Sequence, residues 1–372
     1  VLASAAAAFV LVPSLLGRPG DRGPGGGATT TSTASAPATT RTGTTAGATA
    51  TALPPFGTPV HPPLAGHGND VRSIAVGALN GTPIALTGSD DTTARVWDLV
   101  RGTALGAPLE GHTKWVRGVA LISLHGAQVA VTASDDATVR VWDPATGKQI
   151  GDPLTGHTGG VKTVATGELD GTPVAVSGGE DGTVRIWDLA AHRQLGAPLR
   201  GHRGTVWSVA LWTLGGTPVA VTGGEDGTVR IWDLRARRQI GAPLTGHRGR
   251  IRAVAAGELD GAPVAVSGGD DATVRVWDLA RHRQAGEPLT GHTAPVWSVS
   301  LGSLGGDPVA VTGGEDRTVR VWDLRAHRPL GAPFRGHTDI VWSVAFGLLP
   351  GGPVTVSGGR DGSVRVWSLA SR

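Results

Sequence analysis

The sequence predicts an all-β fold, a seven-bladed β-propeller of four-stranded antiparallel blades, and three observations carry that prediction. The dipeptide Gly-His recurs with its histidine at His67, His112, His157, His202, His247, His292 and His337, always 45 residues apart. A tryptophan stands 30 residues after each, at Trp97, Trp142, Trp187, Trp232, Trp277, Trp322 and Trp367, followed by aspartate six times and by Ser368 in the last repeat. Between these markers lie short runs rich in valine and threonine, separated by turn dipeptides such as Asp170-Gly171 and Asp181-Gly182, the pattern of strands joined by hairpins. A chain of 372 residues exceeds the ~250 to 300 at which one ordinary core stops growing; a repeat architecture escapes that limit because each unit buries its face on the next.

Taken in order, residues 1–17 (VLASAAAAFVLVPSLLG) form an uncharged apolar run, shorter than the ~20 residues of a spanning helix. It reads as a truncated membrane anchor or the core of a signal peptide, the alternative being an Ala-rich stub with no membrane role. The absence of a starting methionine leads us to expect that Val1 is not the biological N-terminus. Residues 18–56 are dominated by Gly, Thr, Ala, Ser and Pro, which bury too little apolar surface to offset ordering entropy, and predict a disordered tether. Arg18 and Arg22 after the apolar run argue weakly for a cytoplasmic propeller; the side of the membrane stays open, and a cytoplasmic chain without an anchor is the alternative.

The propeller is expected over 57–372. In its third repeat, VKTVATGEL, TPVAVSGG, TVRIWDL and QLGAPLR read as strands a to d. Proline recurs in the fourth segment, at Pro63, Pro108, Pro153, Pro198, Pro243, Pro288 and Pro333. Lacking an N–H, it is tolerated mainly on an edge, so strand d is expected outermost. Pro63-Leu64 aligns with Pro108-Leu109 while the chain ends just after Trp367, so the N-terminal strand should complete the last blade and close the ring. A 90-residue superperiod also appears: repeats three and five share GELDG and AVSGG, repeats four and six share LGG, AVTGG and WDLR.

A 45-residue unit opened by Gly-His and closed by Trp-Asp resembles the WD40 repeat family, over residues 58–372 without a gap. The resemblance implies a structural hydrogen-bond chain in each blade, here His67, Thr87, Asp91 and Trp97; His112, Thr132, Asp136 and Trp142; His157, Ser177, Asp181 and Trp187; His202, Thr222, Asp226 and Trp232; His247, Ser267, Asp271 and Trp277; His292, Thr312, Asp316 and Trp322; and His337, Ser357, Asp361 and Trp367. Histidine, hydroxyl and aspartate are also the residue types of a hydrolase triad. Catalysis, however, needs one nucleophile beside a cleft and an oxyanion hole, and a set repeated in every blade behaves as a fold determinant. No enzyme activity, cofactor or metal is expected: the Gly-Gly segments, taken as b–c hairpins, precede no helix and no phosphate-loop lysine, and His61, His125, His192, His282 and His327 are scattered.

The resemblance also implies partner binding on the rim of d–a and b–c loops, the top face. Positions three and five beyond each repeat histidine supply Trp115, Arg117, Trp207, Arg250, Arg252, Trp297, Ile340 and Trp342, and we expect these as the partner contacts, with the tryptophans forming an exposed apolar patch. The residue before each set's aspartate is Asp90, Asp135, Glu180, Glu225, Asp270, Glu315 or Arg360, acidic in six of seven repeats, which disfavours nucleic acid there. On the opposite rim Arg193, Arg235, Arg237, Arg238, Arg281, Arg283, Arg325 and Arg328 are mixed with Glu168, Asp170, Glu258 and Asp260, leaving nucleic-acid or anionic-ligand binding a minor alternative.

Composition bounds the rest. With no cysteine, methionine or tyrosine, disulfides and thiolate metal sites are excluded. The net charge of +3 is too small to argue for a polyanionic partner. The expected function is a monomeric protein–protein interaction scaffold. Arginine bias, Ala and Gly richness and the Thr-rich tether look actinobacterial, and in that group propellers of this style follow kinase or NTPase domains and a membrane segment. The alternative is therefore the sensor or docking module of a larger membrane-anchored signalling protein.

Overall fold

A computed structural model describes residues 52–370. The apolar run 1–17 and tether residues 18–51 lie outside the described residues.

Seven antiparallel sheets follow one another along the chain, each ordered a-b-c-d where all four strands belong to consecutive chain. Blade 1 is built from Val71–Leu79, Thr82–Ser89, Ala94–Asp98 and Thr103–Leu109. The later inner strands are Val116–Leu124, Val161–Leu169, Val206–Leu214, Ile251–Leu259, Val296–Leu304 and Val341–Leu349. No helix occurs among the described residues, and none is therefore long and apolar enough to cross a membrane.

Each blade is packed between two others, so both faces of its sheet are buried. This explains why the segments read as runs of valine and alanine rather than as alternating apolar and polar residues. The core consequently lies between blades: Val174, Val176, Val184 and Ile186 of blade 3 pack with Val206, Val209, Trp232 and Leu234 of blade 4. Gly178 shows how tight the seam is. A Cβ there would stand 2.5 Å from Val206 Cγ1. The Gly-Gly pair thus ends strand b (Thr172–Gly179) under the pressure of the next blade and is not itself the hairpin; the b–c turn is Glu180-Asp181-Gly182, where the dipeptide Asp181-Gly182 marks it in the sequence.

Strand d is outermost, but it is continuous only in blades 1, 2 and 4. The expected strand QLGAPLR of blade 3 is instead Arg193–Gln194 and Leu199–Arg200, with Gly196 at a φ of 68° between them. The Gly-x-Pro segment bulges away from strand c, although the same left-handed glycine, at Gly106, Gly151 and Gly241, and the proline that follows stand within the continuous strands of blades 1, 2 and 4.

The ring closes with residues from both ends. Leu64 N donates to Val364 O and Val60 N to Val366 O, each at 2.8 Å, and Ser368 N returns a bond to Thr58 O at 2.9 Å. Leu64 is 4% exposed and belongs to a core cluster with Val71, Trp97 and Val366. The tether expected to run to residue 56 is shortened at its end. Leu53 packs against that cluster, and Phe56 meets Phe334 edge-on at 5.3 Å, apolar contacts that hold 52–56 on the ring.

Neighbouring inner strands are also fastened near the axis. A hydroxyl six residues past the repeat histidine accepts the N–H of a residue 46 positions on: Val119 N to Ser73 Oγ at 3.0 Å, Val254 N to Ser208 Oγ at 2.9 Å and Val344 N to Ser298 Oγ at 2.9 Å. Ser343 closes the series by accepting from Ile74 N at 3.0 Å. Gly118 and Ala253 occupy this position in blades 2 and 5 and have no hydroxyl to offer.

Candidate functional site

The structure brings together the four residues of every repeat set. His Nδ1 lies 2.7–3.0 Å from its aspartate. Nε2 lies 2.7–2.8 Å from the threonine or serine oxygen. The tryptophan Nε1 donates to that oxygen at 2.8 Å in all seven blades. With a neutral imidazole every donor finds an acceptor: indole N–H to hydroxyl oxygen, hydroxyl to Nε2, Nδ1–H to carboxylate. Burial works against the charge on Asp91, Asp136, Asp181, Asp226, Asp271, Asp316 and Asp361, but the hydrogen bond from the histidine, with further bonds from the following turn, outweighs it and holds all seven well below the usual carboxylate range. The oxygen that a triad would use as nucleophile is 0% exposed in every blade. No substrate reaches it, and the sets hold the b–c turn to strand c.

The top-face residues are placed differently from expectation. Each inner strand has its register shift at the residue five beyond the histidine, a β-bulge that turns one extra side chain out of the ladder. All seven of these side chains, Arg72, Arg117, Lys162, Trp207, Arg252, Trp297 and Trp342, are buried. They form a continuous belt. The Arg72 guanidinium lies 4.0 Å from the ring centre of Trp342, Trp342 meets Trp297 edge-on at 4.5 Å, and Arg252 lies 4.1 Å from Trp297 and 5.2 Å from Trp207. On the other side, Asp90 joins Arg72 to Arg117, and Asp135 joins Arg117 (2.8 Å) to Lys162 (2.6 Å).

The expected exposed patch of tryptophans is therefore corrected. Trp207, Trp297 and Trp342 are 5%, 1% and 0% exposed, because rings and guanidinium groups stack on one another around the axis. Ile340, Arg117 and Arg252 are buried with them. Of the expected contacts only Trp115, 40% exposed with the Arg117 guanidinium 4.4 Å from its ring centre, and Arg250 reach solvent freely.

The acidic ring is the counterpart of this belt, a relation that residue-by-residue reading missed. Arg72–Asp90, Arg117–Asp135 and Arg252–Asp270 are each 18 residues apart and ion-paired, and at the same offset Trp297 donates its N–H to Glu315 at 3.2 Å. Lys162 reaches Glu180 at 2.7 Å. That fixed offset was the available signal. Burial opposes the charge on Arg117 and Arg252 and lowers their pKa despite these partners. At Asp70 burial also prevails, over the attraction of Arg72, and raises its pKa.

The model of the WD40 family, described as WD domain, G-beta repeat, matches seven segments of the chain: 57–98, 104–143, 147–188, 193–233, 238–278, 285–323 and 328–368. The chain belongs to the WD40 repeat family. No curated protein matches it. WD40 propellers are typically non-catalytic scaffolds that bind proteins or peptides.

On the bottom rim of this WD40 propeller, the arginines read as an anionic-ligand surface are partly committed. Arg235 reaches Asp170 of the preceding blade and Arg325 reaches Asp260, each at 2.6 Å, a pair repeated 90 residues apart. Arg281 folds back on Asp278 at 2.8 Å. Three of the scattered histidines pack blade to blade: a Cβ on Gly151, Gly241 or Gly286 would stand 2.4–2.6 Å from the ring of His192, His282 or His327 respectively. Among the described residues no group of histidine and acidic side chains could hold a metal ion.

Proposed function

We propose that this WD40 propeller is a protein-interaction scaffold whose top face holds one polypeptide partner over the Arg–Trp belt. The observation that carries the reading is Trp115. It is the large aromatic side chain left exposed on that face, and its ring is held by two guanidinium groups, Arg117 at 4.4 Å and Arg72 at 6.0 Å. A rigid aromatic on a pre-ordered base loses little freedom on binding. Trp115 and Arg250 are the direct contacts, while Arg117, Trp207, Arg252, Trp297, Ile340 and Trp342 form the floor beneath the partner. Arg250 lies 3.3 Å from Glu225, so it orients a partner carboxylate rather than supplying most of the affinity. The test is a photo-crosslinking amino acid placed at 115 or at the exposed Ala107 on the outer edge, in cells of the source organism. A polypeptide captured from 115 and not from 107 supports the top face; capture from 107 alone sinks it.

A second reading adds where the scaffold works. The uncharged run 1–17 and the Thr-rich residues after it favour a propeller tethered to a membrane, as the docking module of a larger signalling protein of the actinobacterial kind.

A further inference from the structure

The bottom rim has two seats for a guanidinium that the chain fills from within, and a third that it leaves open. Where blade 3 meets blade 4, Arg235 of the c–d turn bridges two a–b hairpins: its Nε donates to Asp170 Oδ1 at 2.7 Å and its Nη1 to the Gly216 carbonyl at 3.0 Å. Where blade 5 meets blade 6, Arg325 bridges Asp260 and Asp307 in the same way. The hydrogen bond that Arg235 donates to Asp170 outweighs desolvation and, with the charges of Asp170 and Asp233, raises its pKa.

At the other five junctions Val100 or an alanine stands at the arginine's place. Three of their hairpin tips, Gly215, Gly305 and Pro350, offer no side-chain acceptor, and His125 offers an imidazole that itself carries a proton. Where blade 1 meets blade 2 the seat keeps its acceptors. Counting back 90 residues from the blade 3–4 seat gives Asn80 for Asp170, Gly126 for Gly216, Asp143 for Asp233 and Ala145 for Arg235. A groove of about 300 Å³ opens at this point, lined by these four residues together with Ser123 and Gln128. Its volume is at the small end of ligand pockets, ~300–1,000 Å³, and suits one side chain. No lining residue is basic, and the side chains of Asn80, Ser123 and Gln128 hydrogen-bond no other described residue. Asp143 accepts from Ala145 N at 2.9 Å and from the Thr146 hydroxyl at 2.7 Å, one bond to each oxygen, which leaves lone pairs on both.

We propose that the blade 1–2 groove binds an arginine side chain of a partner polypeptide, with Asn80 Oδ1 and the Gly126 carbonyl accepting from its two arms and Asp143 as the counter-charge. Acceptors on two separate hairpins are spanned by the planar fork of a guanidinium and not by the single point of an ammonium. Ala78, Leu79 and Ala127, which also line the groove, take the aliphatic stem. The site lies on the rim opposite Trp115 and goes beyond the top-face reading.

The test uses the isotope-labelled full-length protein and two peptides, acetyl-Gly-Arg-Gly-amide and acetyl-Gly-Lys-Gly-amide, followed through the NMR signals of the Gly126 amide and the Asn80 side-chain amide. The arginine peptide is expected to move both signals at least about three-fold further than the lysine peptide does. In Ala145→Arg, an exposed position in the turn, the installed arginine fills the seat as Arg235 does, so neither peptide moves the signals while the melting temperature stays at the wild-type value. An equal response to the two peptides, an undiminished response in Ala145→Arg, or no response in the wild-type protein overturns the site.

Discussion

Nη1 of Arg117 in blade 2 lies 3.4 Å from Oδ1 of Asp90 in blade 1, with the arginine 1% exposed. The same guanidinium donates to Asp135 of its own blade at 2.8 Å, so one buried cation neutralises two carboxylates across a blade seam. Removing it leaves Asp90 to Arg72 and Asp135 to Lys162, so neither carboxylate is stranded, but a buried charge-assisted hydrogen bond and its packing are lost, at about 1.5–3 kcal/mol. Arg117→Ala is therefore expected to lower the midpoint of urea unfolding, and adding Asp135→Asn recovers none of the loss. A double variant with a higher midpoint than the single one would show that Asp135 is stranded without the arginine.

Arg235 and Asp170 give the contrasting case. The contact is as short, at 2.6 Å, but both side chains are about half exposed, and such pairs contribute about 0–1 kcal/mol. Arg235→Ala should leave the melting temperature within about a degree of wild type. A large fall would mean that the 90-residue pairing of blades has a structural weight that its exposure does not indicate.

The repeat sets predict a stability change without a change of chemistry. Thr222→Val keeps the shape but strands the indole N–H of Trp232 and Nε2 of His202, both bonded to that hydroxyl. The cost is expected at about 1–3 kcal/mol, read as a lower unfolding midpoint with an unchanged slope.

Acid should act through the same sets. The seven aspartates are depressed in the folded state by their histidines and turn hydrogen bonds, against the opposing effect of burial. A carboxylate with a lowered folded pKa contributes stability that is fully present above its unfolded value, about 3.9, and is lost as pH falls through the folded one. Stability contributed by these groups should thus be flat above about pH 5 and fall steeply below pH 4. Asp181→Asn should be less stable at pH 7 and show a shallower fall in acid; parallel curves for variant and wild type would remove Asp181 from this account.

Much of the fold was legible because the repeat is. Phase-locked His, Ser or Thr, Asp and Trp identify the blade, and Pro63-Leu64 identified the closing strand before its bonds to Val364 were seen. The interruption of strand d at Gly196 was not legible. The identical Gly-Ala-Pro-Leu sequence of blade 4 sits within a continuous strand, Arg238–Leu244, so the distinction depends on local geometry rather than on residue type. The top face was half legible. Residue types and rim were read from spacing, but burial depends on how seven bulges converge on one axis, which no single repeat encodes. Trp297 and Trp342 looked like contacts because each repeat, taken alone, leaves its bulged side chain uncovered.

Trp115 carries the central claim, that the top face binds a polypeptide partner. With the partner captured by crosslinking at 115, the most direct measurement is its Kd for wild-type propeller and for Trp115→Ala, with the melting temperature of both. The account predicts weakening of at least ten-fold, about 1.4 kcal/mol, at an unchanged melting temperature. An unchanged Kd with an intact fold would contradict it.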